Sequence, residues 1–134
     1  MQDRPTVAEL LDAVRGFLEK DALEALDGTA KFHARVSANV LAIAARELEL
    51  ESTHIAAEWQ RLDHLLGRAV PPVDPALLRT QLAARSEDLC ERIRRGDADD
   101  GPFRAAVLAH VRATVREKLA IANPRLLETE SGTP

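Results

Sequence analysis

Basic and amide side chains recur along one side of a helix predicted between about Ala30 and Leu50. Arg35, Asn39 and Arg46 are separated by four and seven residues, so the three side chains project from nearly the same side of that helix. Guanidinium groups form bidentate hydrogen bonds with carboxylates and phosphates. The spacing therefore predicts a surface that can bind an acidic ligand or an acidic partner.

A second basic and amide-rich segment lies near the end of the chain. Arg112 and Arg116 are four residues apart, and Lys118 and the run Asn123-Pro124-Arg125 follow them. If the helices that carry the two segments are neighbours, the segments form one patch for a ligand or partner. The residues predicted for this patch are His33, Arg35, Asn39, Arg46, Glu47, Arg112, Arg116, Lys118 and Asn123.

The same residues also fit a purely structural interpretation. Buried charges in proteins are usually paired, which favours internal bracing over binding. Arg46 can pair with Glu49 or with a carboxylate on another helix, and Asn39 can satisfy a buried backbone group. The sequence leaves the two interpretations open.

The other residues that could perform chemistry do not form a recognisable site. Glu51 precedes His54 by three residues, as in carboxylate-bridged di-iron proteins, but those sites need a second such motif and two further glutamates. Cys90 lies in an apolar pattern beside Leu89, which is typical of a small packed side chain. No nucleophile elbow, phosphate-binding loop or dinucleotide-binding glycine motif occurs. We therefore expect no catalytic residue, no metal and no cofactor.

The composition narrows the class of protein further. Of the 134 residues, 46% are hydrophobic but only 3% are aromatic, which favours a helical globular domain. The net charge of −4 disfavours a nucleic-acid partner. One cysteine, no signal-peptide pattern after Met1 and no long apolar run predict a cytoplasmic protein without a membrane span.

Start and stop signals predict the helices that position the patch. Thr6 with Glu9 forms a capping box before a first helix, which reaches Gly28 as one long helix or two short ones. The second helix, at about 30–50, and a third helix, capped by Ser52 or Thr53 and ending at Gly67, are expected to form a hairpin.

Prolines between 71 and 75 interrupt the helical pattern before the last two predicted helices. Asp74 caps the fourth helix, which runs to Gly96, and Pro102 opens the fifth, which runs to Asn123. The sequence thus predicts an all-α antiparallel helical bundle of about five helices. Residues 1–127 are expected to form one domain, and 128–134 a disordered tail.

Several segments resemble an uncharacterised bacterial family of small helical proteins, a domain of unknown function. The segments are Gln2 to Thr6 with Glu9 and Leu10, Phe32 to Val36, Ala45 to Glu49, Val115 to Leu119, and Asn123 with Pro124. Members of this family are typically encoded beside aminoglycoside-phosphotransferase-like kinases and acyl-CoA dehydrogenases. The resemblance implies a link to acyl-CoA catabolism and no catalytic residues, since no activity is established for the family.

Three functions follow as hypotheses. The first, which the resemblance implies, is a non-enzymatic accessory protein that works with a phosphotransferase-like kinase or an acyl-CoA dehydrogenase. The second is a small-molecule module that binds a phosphate or carboxylate ligand through the arginine patch. The third is an enzyme with His33 or Glu47 as general base, which lacks an organised set of partner residues. A homodimer is a further alternative, because alanine-rich helical faces often self-associate.

Overall fold

The computed structural model describes residues 4–130, and the side chains of residues 4–128. Its helices are α1 (Val7–Phe17), which continues through a π-helical stretch (Leu18–Ala22) into α2 (Leu23–Ala25), then α3 (Gly28–Leu66), α4 (Pro75–Arg94), α5 (Gly101–Ala122) and α6 (Arg125–Glu130). No strand occurs between residues 4 and 130, so the predicted all-α class is confirmed.

The predicted caps at Thr6 and Asp74 and the predicted stop at Gly67 are present. The backbone N of Glu9 donates to Oγ1 of Thr6 at 3.2 Å, and the backbone N of Thr6 donates to the Glu9 carboxylate at 2.7 Å. Asp74 Oδ1 accepts from the backbone N of Leu77 at 2.7 Å at the start of α4. Gly67, with a φ of 96°, follows the last residue of α3 and takes the left-handed conformation that ends many helices.

The predicted hairpin between the second and third helices is wrong. Both predicted helices belong to α3, which runs without interruption through Ser52 and Thr53 for 39 residues. No glycine or proline lies between Thr29 and Leu66, and serine costs only a fraction of a kcal/mol inside a helix. The described chain still has about five helical stretches, because the short α6 adds one. Their packing as an antiparallel bundle stays a prediction.

The chain forms two compact units. The first unit comprises the residues up to Glu51 and from Leu119 onward, and the second comprises Ser52–Lys118, so α3 and α5 contribute to both. That 1–127 act as one domain stays a prediction. The predicted tail at 128–134 begins inside α6, and 131–134 lie outside the described residues.

The second unit contains the apolar core of the described chain. Trp59, Leu62 and Leu65 of α3 pack with Leu82 and Leu89 of α4 and with Val107 of α5. Leu62 is completely buried. The indole N of Trp59 donates to the carbonyl of Ala69 at 3.2 Å, so its polar group is also satisfied. Burial of large side chains from three helices makes this core the main source of apolar stabilisation.

The second unit also contains a partly buried polar cluster. Arg61 of α3 forms two hydrogen bonds with the Glu117 carboxylate of α5, at 2.6 and 2.7 Å. His110 is 7% exposed, and its Nδ1 has no hydrogen-bond partner among the described residues. Burial, with a smaller contribution from the Arg61 charge, lowers the pKa of His110. Burial raises the pKa of Glu58.

Within the described residues, none of the helices combines the length and apolar character that crossing a bilayer requires. The cytoplasmic location stays a prediction.

Leu62→Ala is expected to lower the free energy of unfolding by about 2–5 kcal/mol, because it removes buried methyl groups and leaves a cavity among Trp59, Leu82 and Leu89. Urea unfolding followed by circular dichroism measures the change. Leu77→Ala is the matched control, since Leu77 is 48% exposed. Equal losses in the two variants would show that Leu62 is not packed as described.

His110→Gln is expected to reduce the loss of stability on acidification. The unfolded chain carries His110 near its ordinary pKa of 6.5, whereas the folded pKa is lower. Below pH 6.5 the unfolded state therefore binds more protons, so the free energy of unfolding falls as the pH drops from about 7.5 to 5.5. Each unit of difference between the two pKa values contributes about 1.4 kcal/mol.

The measurement is urea unfolding at both pH values. The raised pKa of Glu58 acts in the opposite direction, so His110 is isolated by comparing variants rather than by the wild-type profile. His33→Gln, at an exposed histidine, is the matched control and should keep the wild-type loss. An unchanged loss in His110→Gln would contradict the assignment.

Candidate functional site

The first unit buries alanines rather than large side chains. Among its described residues, the buried ones are Ala22 in the π-helical stretch and Ala34 and Ala38 in α3. Alanine lets helices approach closely but fills little volume. The unit contains a cavity of about 700 Å³, within the size range of small-molecule sites.

This cavity, called the arginine cavity below, has a strongly basic lining. Residues from α1, the π-helical stretch, α2, α3, the end of α5 and α6 surround it. Its polar lining consists of Arg15, Glu19, Arg35, Asn39, Arg46, Asn123 and Arg125. The remaining lining residues are small or apolar, among them Val36, Ala38 and Ala42. The cavity thus combines charged groups with apolar surface.

The α3 side of the arginine cavity is a regular stripe. Arg35, Asn39, Ala42 and Arg46 line it, and their spacings of four, three and four residues keep them on one side of the helix. The two arginines stand at the ends of the stripe, and the smaller side chains lie between them. Helical periodicity alone therefore explains why these residues share the cavity.

Arg46 is fixed by a hydrogen bond to the backbone. Its Nε donates to the carbonyl of Ile121 at 2.7 Å. Ile121 lies in the last turn of α5, where carbonyl groups have no partner within the helix and where a cation is favourable. Arg46 thus caps α5. The ion pair expected with Glu49 does not form, and Arg46 has no carboxylate partner in the described part of the chain.

The arginines of the cavity outnumber its acidic groups. Arg15 pairs with Asp12, but Arg35, Arg46 and Arg125 form no ion pair with any described side chain. Glu19 is the one carboxylate among the lining residues that the structure describes. A chain of net charge −4 therefore concentrates positive charge at one concave surface. Such a surface attracts anions.

The structure brings four of the nine predicted patch residues together. Arg35, Asn39, Arg46 and Asn123 line the arginine cavity. Residues of both predicted basic segments therefore lie at the same cavity. His33 packs edge-on against the Phe32 ring, and Glu47 is exposed; neither lines the cavity. The other three, in the second unit, also do not line it: Arg112, Arg116 and Lys118. That the gathered residues bind a ligand stays a prediction.

Sequence reasoning missed Arg15 and Glu19, and it placed Arg125 in the second basic segment without including it among the nine patch residues. Arg15 follows Leu11 by four residues and precedes Leu18 by three, so it lies in the apolar stripe of α1. A charge within an apolar stripe is a signal that could have identified it. No comparable signal marks Glu19, whose position depends on the π-helical stretch. Arg125 follows Asn123 by two residues, and its place at the cavity depends on α6.

The other residues that could bind a metal or act in catalysis do not form a site among the described residues. No group of three or more His, Cys, Asp or Glu side chains among the described residues is arranged to hold a metal ion. The prediction that Cys90 is packed is wrong, because its side chain is exposed. Leu89 takes the buried position on α4, and the next residue is rotated by about 100° around the helix.

Comparison with known proteins gives a family but no activity. No curated protein and no solved structure matches the chain significantly. A family described as a domain of unknown function matches residues 24–126, a range that includes Arg35, Arg46 and Arg125. The chain therefore belongs to the DUF6285 family.

Proposed function

We propose that the chain binds an acidic small molecule, a phosphate or a carboxylate, in the arginine cavity. The observation that carries this proposal is the placement of Arg35, Arg46 and Arg125 around one cavity, with no carboxylate partner in the described residues. Three such arginines around one concave surface create a positive electrostatic potential there. A bound anion would compensate part of that charge.

The bond to Ile121 supports the same function. It uses Nε of Arg46 and leaves the two terminal nitrogens without a described partner. Those nitrogens form the fork that binds carboxylate or phosphate. Because the side chain is already oriented, less conformational entropy is lost when an anion binds. Asn39 and Asn123 add amide donors, and the apolar lining accommodates an uncharged part of the ligand.

Inorganic phosphate is expected to bind weakly, and Arg35→Ala is expected to reduce its affinity about tenfold. Loss of one charge-assisted hydrogen bond costs about 1.5–3 kcal/mol, and about 1.4 kcal/mol corresponds to a tenfold change. Isothermal titration calorimetry at low ionic strength measures the affinity, since salt screens these interactions. Arg35 is exposed and has no described polar contact, so the variant should keep the fold.

Arg112→Ala is the matched control, because Arg112 is exposed and lies outside the cavity lining. It should bind phosphate as the wild type does. An equal loss in both variants would indicate general charge attraction. No loss in Arg35→Ala would show that phosphate does not bind at Arg35 and would contradict the expected contribution of this residue.

A second candidate function, docking to a protein partner, rests on α1. Val7, Leu10, Val14 and Phe17 recur at helical spacing, and each is more than half exposed. Exposed apolar stripes of this kind mark interaction surfaces. The candidate partners are the phosphotransferase-like kinase and the acyl-CoA dehydrogenase suggested by the resemblance, in a bacterial cytoplasm, with a homodimer as the alternative. The chain would then be an accessory protein.

Val14→Glu is expected to abolish recovery of the partner, because it places a charge in the apolar stripe. The test is a pull-down with the purified kinase and dehydrogenase, combined with light scattering to determine the mass in solution. Val73→Glu is the matched control, since Val73 is fully exposed in the connection before α4. Failure of the wild type to bind either enzyme or itself would refute the docking function.

A further inference from the structure

Building on the proposed function, we infer that the arginine cavity takes an elongated ligand with two separate anionic groups, one bound near Arg35 and the other near Arg46. Both arginines line the same cavity and lie on the same side of α3. The inference adds a spacing requirement to the binding of an acidic molecule.

The separation of the two arginines argues against a single compact anion. Arg35 and Arg46 are eleven residues apart, which corresponds to about 16 Å along the helix axis. A compact anion could reach both only if each side chain extended along α3 towards the other. The Nε of Arg46 is instead held by the carbonyl of Ile121 on α5. The geometry therefore favours one anionic group at each end.

The surface between the arginines suits an uncharged connecting chain. Asn39 and Ala42 occupy the intervening positions of the stripe, and Ala38 and Val36 also line the cavity. These short or apolar side chains leave room along α3 and carry no charge. An apolar or weakly polar chain can lie there, with the Asn39 amide available for one hydrogen bond.

The charge balance fits a ligand with two negative charges. Arg35, Arg46 and Arg125 have no described carboxylate partner, and Glu19 disfavours additional anionic groups beside it. The ligand class is therefore an extended dianion, with terminal carboxylate or phosphate groups joined by an uncharged chain. A dicarboxylate series tests the spacing without requiring the identity of the natural ligand.

The experiment is calorimetric titration of the full chain with linear α,ω-dicarboxylates from malonate to decanedioate, and with decanoate as the singly charged control. We expect affinity to rise with chain length, so that a long dicarboxylate binds at least tenfold more tightly than malonate and than decanoate. Arg35→Ala should reduce the affinity of the long dicarboxylate to that of decanoate, and Arg112→Ala should leave it unchanged.

Arg46→Ala should produce the same loss, but it also removes the bond to Ile121. Circular dichroism therefore accompanies that variant, and Arg35→Ala decides the outcome if Arg46→Ala does not fold. Equal binding of malonate and decanedioate, both weakened by Arg35→Ala, would overturn the spacing requirement and leave the proposed function intact. Binding of decanoate as tightly as decanedioate would also overturn it. Absence of binding by phosphate and every dicarboxylate would refute both proposals.

Discussion

The hydrogen bond from Arg46 Nε to the Ile121 carbonyl is the interaction on which the arrangement of the first unit depends. It joins α3 to the end of α5 across 75 residues of sequence. Bringing such distant segments together costs chain entropy, which the few buried alanines of this unit offset only slightly. A charged donor on an otherwise unpartnered carbonyl is a strong hydrogen bond and supplies part of that free energy. The position of Asn123 and Arg125 beside α3 follows from this contact.

Arg46 combines bracing with unused hydrogen-bond donors, two properties that the sequence presented as alternatives. Internal bracing and ligand binding were separate interpretations of Arg46, but a guanidinium group has five N–H donors and can divide them. The Nε–H braces α5, while the terminal nitrogens have no described partner. Bracing through a backbone carbonyl also leaves the positive charge uncompensated, unlike the ion pair with Glu49 that the sequence suggested. Fixation and anion attraction are therefore compatible at this position.

Interactions between residues close in sequence made much of the fold and about half of the candidate site predictable. The caps at Thr6 and Asp74 and the stop at Gly67 depend on neighbouring residues, and the shared side of Arg35, Asn39 and Arg46 depends only on helical periodicity. The continuity of α3 at Ser52 was missed because a serine can either cap a helix or lie inside one, and its sequence neighbours do not decide between these states. Sequence periodicity also cannot reveal which distant helix faces a stripe. Glu19 was missed, and Arg125 was left out of the nine predicted residues, for that reason.

The two units differ in their packing and in their charged groups. The second packs Trp59 and several leucines into an apolar core, and its charged Arg61 and Glu117 pair with each other. The first has small buried side chains, a cavity and unpaired arginines among its described residues. Filling this cavity with large apolar residues would raise stability but remove the space for a ligand, the usual conflict between stability and function. An anion that binds only the folded unit would supply stabilisation through its binding free energy. The weak packing of the first unit thus leaves the space that the proposed ligand would occupy.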